Sequence, residues 1–173
     1  MLAQILTFHQ VMPEFLDFFA SFGLQTSARE VRFSGFRQQV SLKPQATSFA
    51  IDALGRSGRQ YQVAYNLKGV TLKNYDPDNI ERAEWSIRTA AFYHQFDVVQ
   101  GRSVWIVIKG GQDVYEKYKE LTGREARPED KSFGTDDECF VSSLSPHLLF
   151  CRWSTEDWRG YIRWFEEAVD QEV

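Results

Sequence analysis

The sequence has little cysteine and no long apolar run, and both absences narrow the class of protein. Its 173 residues include two cysteines, Cys139 and Cys151, which stand 12 positions apart with no CxxC pair. No stretch approaches the roughly 18 apolar residues of a membrane-spanning helix, and the start MLAQILTFHQ lacks the features of a signal peptide. We therefore predict a soluble, cytoplasmic chain. Its cysteines are expected to be reduced and buried beside Phe140 and Phe150, and one disulfide between them is the alternative.

Histidine is also scarce, and the motifs of the common enzyme classes are missing. The three histidines, His9, His94 and His147, lie far apart, and none stands in a GxSxG or Cys/His pattern. Gly110-Gly111 lacks the lysine and the wider glycine spacing of a phosphate-binding loop. Two distant cysteines and three scattered histidines do not match the ligand spacing of a zinc site. The sequence therefore predicts no catalytic, cofactor-binding or metal residues, and we expect no enzyme activity.

The charge balance argues against binding to nucleic acid. The chain carries 20 Lys and Arg against 24 Asp and Glu, a formal net charge of −4, so nothing draws it to a phosphate backbone. Hydrophobic residues make up 43% and aromatic residues 15% of the sequence, which suffices for a sizeable core. A chain of this length fits one domain, and we predict a single domain over residues 1–173.

The apolar pattern predicts an α+β fold, with an antiparallel sheet between Arg32 and Lys109 covered by an N-terminal helix and two or three C-terminal helices. Apolar and smaller or polar residues alternate from Tyr61 to Leu67, which is typical of a half-buried strand. The aromatic stretch from Trp85 to Phe96 and the apolar run from Val104 to Ile108 predict a hairpin. We expect this hairpin at the centre of the sheet, with helices on both faces.

Four further details of the pattern are specific enough to test. Apolar residues recur at helical spacing from Phe8 to Phe22, so Pro13 begins or kinks the N-terminal helix, and Gly23 ends it. Trp105 and Ile106 are adjacent in a strand and should face opposite helical layers. A second apolar stripe is expected to break or kink at Pro146. Ser154 is expected to cap the last helix, whose buried face would comprise Trp158, Tyr161, Ile162 and Phe165.

Acidic residues cluster at Asp136, Asp137 and Glu138, with Glu129 and Asp130 nearby. Carboxylate oxygens suit Mg²⁺ or Ca²⁺, but such a run is also typical of a solvated loop or a helix N-terminus, where negative charge is favourable. The charged stretch 124–138 is expected to be the most mobile segment, because it offers few apolar anchors.

Arginine and tryptophan supply the remaining candidates for binding. Arg88 stands inside an aromatic strand, where it either pairs with a buried carboxylate or faces an anionic ligand. Arg56 and Arg59 flank a glycine-rich turn. Trp153 and Trp164 fall off the apolar stripe of the last helix, and we expect them to be exposed in an interface with a protein partner or a second copy.

Several tracts of the sequence are distinctive enough to compare with a known family: FHQVMPEFLDFFASFG, FSGFR, GRSGR, WSIRTAAFYHQFD, SVWIVIKG and VSSLSPHLLFCRWSTEDWRGYI. Through them the chain resembles the N-terminal cytosolic domain of fungal CorA-like proteins, many of which continue into a helical stalk and two membrane helices of the magnesium-transporter type. The Gly-Met-Asn pore signature of CorA is absent from this sequence. The resemblance implies a relationship to the soluble part of such proteins and carries over no catalytic residue.

Together these features predict a cytosolic regulatory or sensory domain that binds a protein partner, another copy of itself or a cation, attached to a membrane region if it is part of a longer protein. A stand-alone interaction module is the first alternative, since it would use the same exposed tryptophans. An enzyme with an unrecognised site is the second, and it would require a closed pocket with perturbed titratable groups.

Overall fold

A computed structural model describes residues 1–22, 34–43, 50–73, 84–109 and 111–170. The helices and strands follow in the order α1 (Leu2–Phe8), α2 (Phe15–Ala20), β1 (Phe36–Ser41), β2 (Gln60–Lys73), β3 (Glu84–Asp97), β4 (Arg102–Lys109), α3 (Gly111–Thr122), α4 (Asp136–Thr155) and α5 (Trp158–Asp170). The predicted α+β architecture is confirmed. Arg32 and the predicted helix end at Gly23 lie outside the described residues.

The described strands form one antiparallel sheet in the order β1-β2-β3-β4. β2 and β3 each have 14 residues and pair along their whole length, from Gln60 opposite Asp97 to Lys73 opposite Glu84. The predicted hairpin of β3 and β4 is present, but β4 lies at an edge, so its predicted place at the sheet centre is wrong. An apolar run indicates that both faces of a strand are covered, and an edge strand can be covered in the same way.

One face of the sheet is covered by the N-terminal segment. Met12, Phe15 and Phe18 are buried against Ala64, Ala91 and Tyr93 of the central strands. The predicted helical spacing is confirmed for these three residues, whereas Phe8 at its start is exposed and the prediction is wrong there. The segment nevertheless forms two short helices, with Pro13 two positions before the start of α2. Proline cannot donate to the preceding turn, and Gln10 adopts a left-handed backbone with φ 53°.

The other face is covered by α3 and α4. Ala90 and Phe92 of β3 pack with Val114, Phe150 and Trp153, and the Phe92 and Phe150 rings stack at 4.1 Å. Trp105 packs against this cluster, whereas Ile106 packs against the N-terminal one. Their predicted arrangement toward opposite layers is thus confirmed.

The polarity of β2 departs from the expected alternation. Its apolar positions Tyr61, Val63, Tyr65 and Leu67 are half-buried, whereas Gln62 and Asn66 between them are 3% and 7% exposed. The buried glutamines have partners: Gln62 Oε1 accepts from the backbone N–H of Met12 at 2.8 Å, and Gln60 Oε1 accepts from Gln95 Nε2 at 2.6 Å. Hydrogen bonding removes most of the cost of burying these amides.

Two details of the C-terminal helices are also corrected. α4 runs for 20 residues with the buried Pro146 inside it, so the predicted break there is wrong, and the kink given as its alternative stays a prediction. Ser154 belongs to α4, where its Oγ donates to the Cys151 carbonyl at 2.8 Å, and it does not cap α5. The chain instead turns at Asp157, whose φ is 65°, and α5 begins at Trp158.

Candidate functional site

Two of the three histidines meet on the α4 face of the sheet. His94 of β3 is fully buried, and its Nδ1 lies 2.9 Å from Nε2 of His147 on α4. The chain of contacts continues at both ends, because His94 Nε2 lies 3.0 Å from Ser103 Oγ and His147 Nδ1 lies 2.7 Å from the Tyr65 hydroxyl. The His94 ring also stacks on Trp105, with centroids 4.3 Å apart. His9 lies elsewhere, at the end of α1.

Both members of the pair are neutral at physiological pH. Burial and the neighbouring His147 lower the pKa of His94 to about 3, and burial lowers the pKa of His147 to about 4. The four side chains Tyr65, His147, His94 and Ser103 can form consecutive hydrogen bonds in either direction, because each neutral imidazole offers one donor and one acceptor. These contacts therefore connect β2, β3, β4 and α4 through their side chains.

The contact between Ser103 and His94 resembles part of a nucleophilic catalytic site, in which a histidine takes the proton of a serine. A useful general base has a pKa near the working pH. A pKa of about 3 makes His94 a poor base, because burial that strengthens the packing also opposes the imidazolium ion. The geometry therefore favours a structural role for these residues.

The acidic run begins α4. Thr135 Oγ1 accepts from the Glu138 backbone N–H at 3.2 Å, and the Glu138 carboxylate accepts from the N–H groups of Thr135 and Gly134. This is a capping box, and Asp136 and Asp137 lie in the first turn, where negative charge is favourable. Within the described ranges, no group of three or more His, Cys, Asp or Glu is placed to hold a metal ion. The acidic run therefore lies at a helix N-terminus, as one of the interpretations above expected.

The cysteines and Arg88 differ from expectation. Cys139 is half-buried and Cys151 is exposed, both as free thiols on α4, so the prediction that both are buried is wrong. Their separation of 12 positions on one helix is about 18 Å, which excludes a disulfide within the chain. Arg88 is exposed and forms no ion pair with any residue that the structure describes, so a buried carboxylate partner is not found there.

The two tryptophans that were predicted to be exposed in an interface are also placed differently. Trp153 is 3% exposed, because its ring covers Gly69 of β2, so it is not an interface residue. Trp164 is half-buried and lies 6.0 Å from the Tyr161 ring. The large apolar residues of α5 that reach solvent are Ile162, Phe165 and Val169, with exposed fractions of 51%, 54% and 47%.

These three side chains form one apolar strip on α5, which we call the α5 strip. Residues spaced three, four and seven apart fall on the same side of a helix. α5 approaches the sheet through Tyr161, whose ring lies 6.2 Å from Trp85, and no residue of α5 is buried. The sequence pattern identified Ile162 and Phe165 as apolar helix positions but wrongly placed them in the core.

Two clefts lie near the N-terminal helices. The larger has a volume of about 670 Å³ and is lined mainly by apolar side chains of α1, α2 and their connection, with Gln60 and Gln62 on the sheet side. The smaller, of about 410 Å³, contains the side chains of Arg56 and Arg102. Sequence reasoning noted Arg56 at a turn but gave no signal that the turn lies beside Arg102, because 46 positions separate them.

Comparison with known proteins gives one match. A family model described as CorA-like transporters matches residues 1–173. The search of curated proteins and the search of solved structures gave no match. In the described part of the chain, no helix has the length and apolar character needed to cross a membrane.

Proposed function

The chain belongs to the CorA-like family of transporters, and from this premise we propose that it is a non-catalytic, cytoplasmic regulatory domain that acts by binding another protein chain. The proposal treats residues 1–173 as a single domain of the kind found at the N-terminus of fungal CorA-like proteins. It assigns no catalytic, cofactor or metal residue.

The observation that carries this proposal is the α5 strip. Ile162, Phe165 and Val169 are apolar, adjacent on one helix side and about half exposed. Burying such side chains in an interface is favourable by roughly 25 cal/mol per Å² of apolar surface. A contiguous apolar strip beside charged residues is typical of a protein-binding surface. Arg163 and Glu167 flank it as an ion pair at 3.0 Å.

A second copy of the chain is the partner that this surface fits most directly. Two α5 helices placed side by side would each cover the strip of the other, as in an isologous dimer, where the same patch serves on both subunits. The cation alternative has less support, because the Glu138 carboxylate is already used by the α4 capping box.

Sedimentation equilibrium over a wide concentration range tests the proposal. We expect the parent chain to self-associate and Phe165→Ser to weaken association about tenfold or more, since truncating an interface aromatic commonly costs above 1 kcal/mol. Glu166→Ser, at the next exposed position of the same helix, is the matched control and should associate like the parent. A parent chain that stays monomeric at every concentration, or variants that behave alike, would contradict the proposal.

A further inference from the structure

The smaller cleft joins four segments at one end of the sheet. Phe8 and His9 come from the end of α1, Arg56 from the turn after the 3₁₀ segment Asp52–Leu54, Asp97 from the end of β3 and Arg102 from the start of β4. Its volume of about 410 Å³ lies in the range of small-molecule sites. Two guanidinium groups and one carboxylate therefore face a space that a small ligand can enter.

Arg56 occupies an unusual position in this cleft. Its guanidinium carbon lies 4.7 Å from the centre of the Phe8 ring, and its Nη1 is enclosed without a hydrogen-bond partner in the described ranges. It forms no ion pair with the described residues either. A buried N–H group of a charged side chain is costly without an acceptor, and the described residues supply none for this atom.

The second arginine is held rigidly beside it. Arg102 Nη1 donates to the carbonyl oxygens of Leu54 at 2.9 Å and Gly55 at 3.2 Å. The turn itself is closed by two backbone bonds between Ile51 and Arg56, at 3.0 and 3.2 Å. Gly55 has φ +59°, and a Cβ there would meet Arg102 Nη1 at 2.5 Å. The turn and β4 thus present their arginines in a fixed arrangement, which reduces the entropy lost when a ligand binds.

The carboxylate in the cleft does not neutralise either arginine. Asp97 accepts from Ser57 Oγ at 2.7 Å and from the backbone N–H groups of Ser57, Val99 and Gln100 at 2.8, 3.0 and 3.0 Å. Burial alone would raise the pKa of Asp97, but these bonds hold it below its usual value. Asp97 is therefore ionised and its described hydrogen bonds go to Ser57 and the β3–β4 turn, and two guanidinium groups against one carboxylate leave the cleft positive.

We propose that this cleft binds a small oxyanion, a carboxylate or a phosphoryl group, with Arg56 as the principal contact and Arg102 beside it. Guanidinium groups bind both chemistries through paired N–H donors, and neither arginine forms an ion pair with a described residue that would compete for the ligand. His9 lies beside the site, where burial and the Arg56 charge lower its pKa. A bound anion would offset that charge and raise the His9 pKa.

Calorimetric titration with inorganic phosphate and with acetate, each at ionic strength matched with NaCl, tests this assignment. We expect saturable binding of at least one anion, weakened tenfold or more by Arg56→Gln and less by Arg56→Lys, which keeps the charge but loses the fork. Arg88→Gln removes an exposed arginine without a described ion pair and should leave binding unchanged. Binding of phosphate alone identifies a phosphoryl ligand, and binding of acetate alone a carboxylate.

The His9 resonance gives a second readout that does not depend on affinity. Its NMR titration should move to higher pKa when the anion is added to the parent chain, and should not move in Arg56→Gln. The assignment is overturned if neither anion binds above the NaCl background, or if binding and the His9 shift survive Arg56→Gln. Self-association through the α5 strip is measured separately, so neither result decides the other.

Discussion

Mild acid should destabilise the folded chain through the buried pair of His94 and His147. Folding lowers the pKa of His94 from 6.5 to about 3 and that of His147 to about 4. The stability that depends on the neutral pair is complete above pH 6.5, because there the unfolded chain is also neutral. As the pH falls below 6.5, the two histidines become protonated in the unfolded chain but not in the folded chain. The free energy of unfolding therefore decreases until the pH reaches the folded pKa values.

The expected decrease in the free energy of unfolding follows from the width of the pH range between the unfolded and the folded pKa values. One pH unit corresponds to about 1.4 kcal/mol for each histidine that is protonated only in the unfolded state. Between pH 6.5 and 5 this gives roughly 2 kcal/mol for the fully buried His94. His147 is half-buried, so we halve its contribution to about 1 kcal/mol for solvent screening. The free energy of unfolding should therefore fall by about 3 kcal/mol, a large part of the stability of a typical domain.

Urea unfolding at several pH values between 7 and 5 measures this loss directly. His94→Gln replaces the imidazole with a neutral donor and acceptor, so it should be less stable at pH 7 but lose about 2 kcal/mol less than the parent on acidification. His9→Gln is the matched control, because His9 lies outside the pair and should change the pH dependence less. A parent stability that is flat from pH 7 to 5, or an unchanged slope in His94→Gln, would refute the reasoning.

Two further predictions concern local packing. Thr135→Ala removes the acceptor for the Glu138 N–H at the start of α4 and should lower the free energy of unfolding by about 1 kcal/mol in urea melts, whereas an unchanged value would show that the cap contributes nothing. Gly69→Ala places a Cβ 3.0 Å from the buried Trp153 ring and should cost roughly 1–3 kcal/mol by overpacking, with a shifted tryptophan emission; equal or greater stability would contradict the close contact.

The sequence was sufficient for the architecture where a periodic pattern is long. The existence of strands β2 and β3 and the core positions Met12, Phe15 and Phe18 follow from composition and spacing, because the side-chain period of an element is a local property. The position of β4 at the sheet edge was not predictable in this way, since strand order depends on which long-range pairs form. Burial on both faces is compatible with either place.

The histidine pair shows a different limit. His94 and His147 are 53 positions apart, and nothing in the residues around either one indicates the other. Each histidine alone is compatible with a backbone partner. Only the packing of α4 on β3 brings their rings together, and the same packing aligns Ser103 and Tyr65 at the two ends. The buried glutamines of β2 were missed for a related reason, because alternation predicts which residues share a face and not which face is better covered.

The last helix shows why a wrong fold prediction can still inform function. Periodicity identified Ile162 and Phe165 as members of an apolar side, and that property is confirmed by the structure. The prediction that this apolar side is buried also assumed that another part of the same chain packs against it. In the described residues the sheet covers Tyr161 through Trp85 and leaves Ile162, Phe165 and Val169 about half exposed. An apolar side that its own fold does not cover gains stability from a neighbour, and this physical difference is what favours a binding role for α5 over a purely structural one.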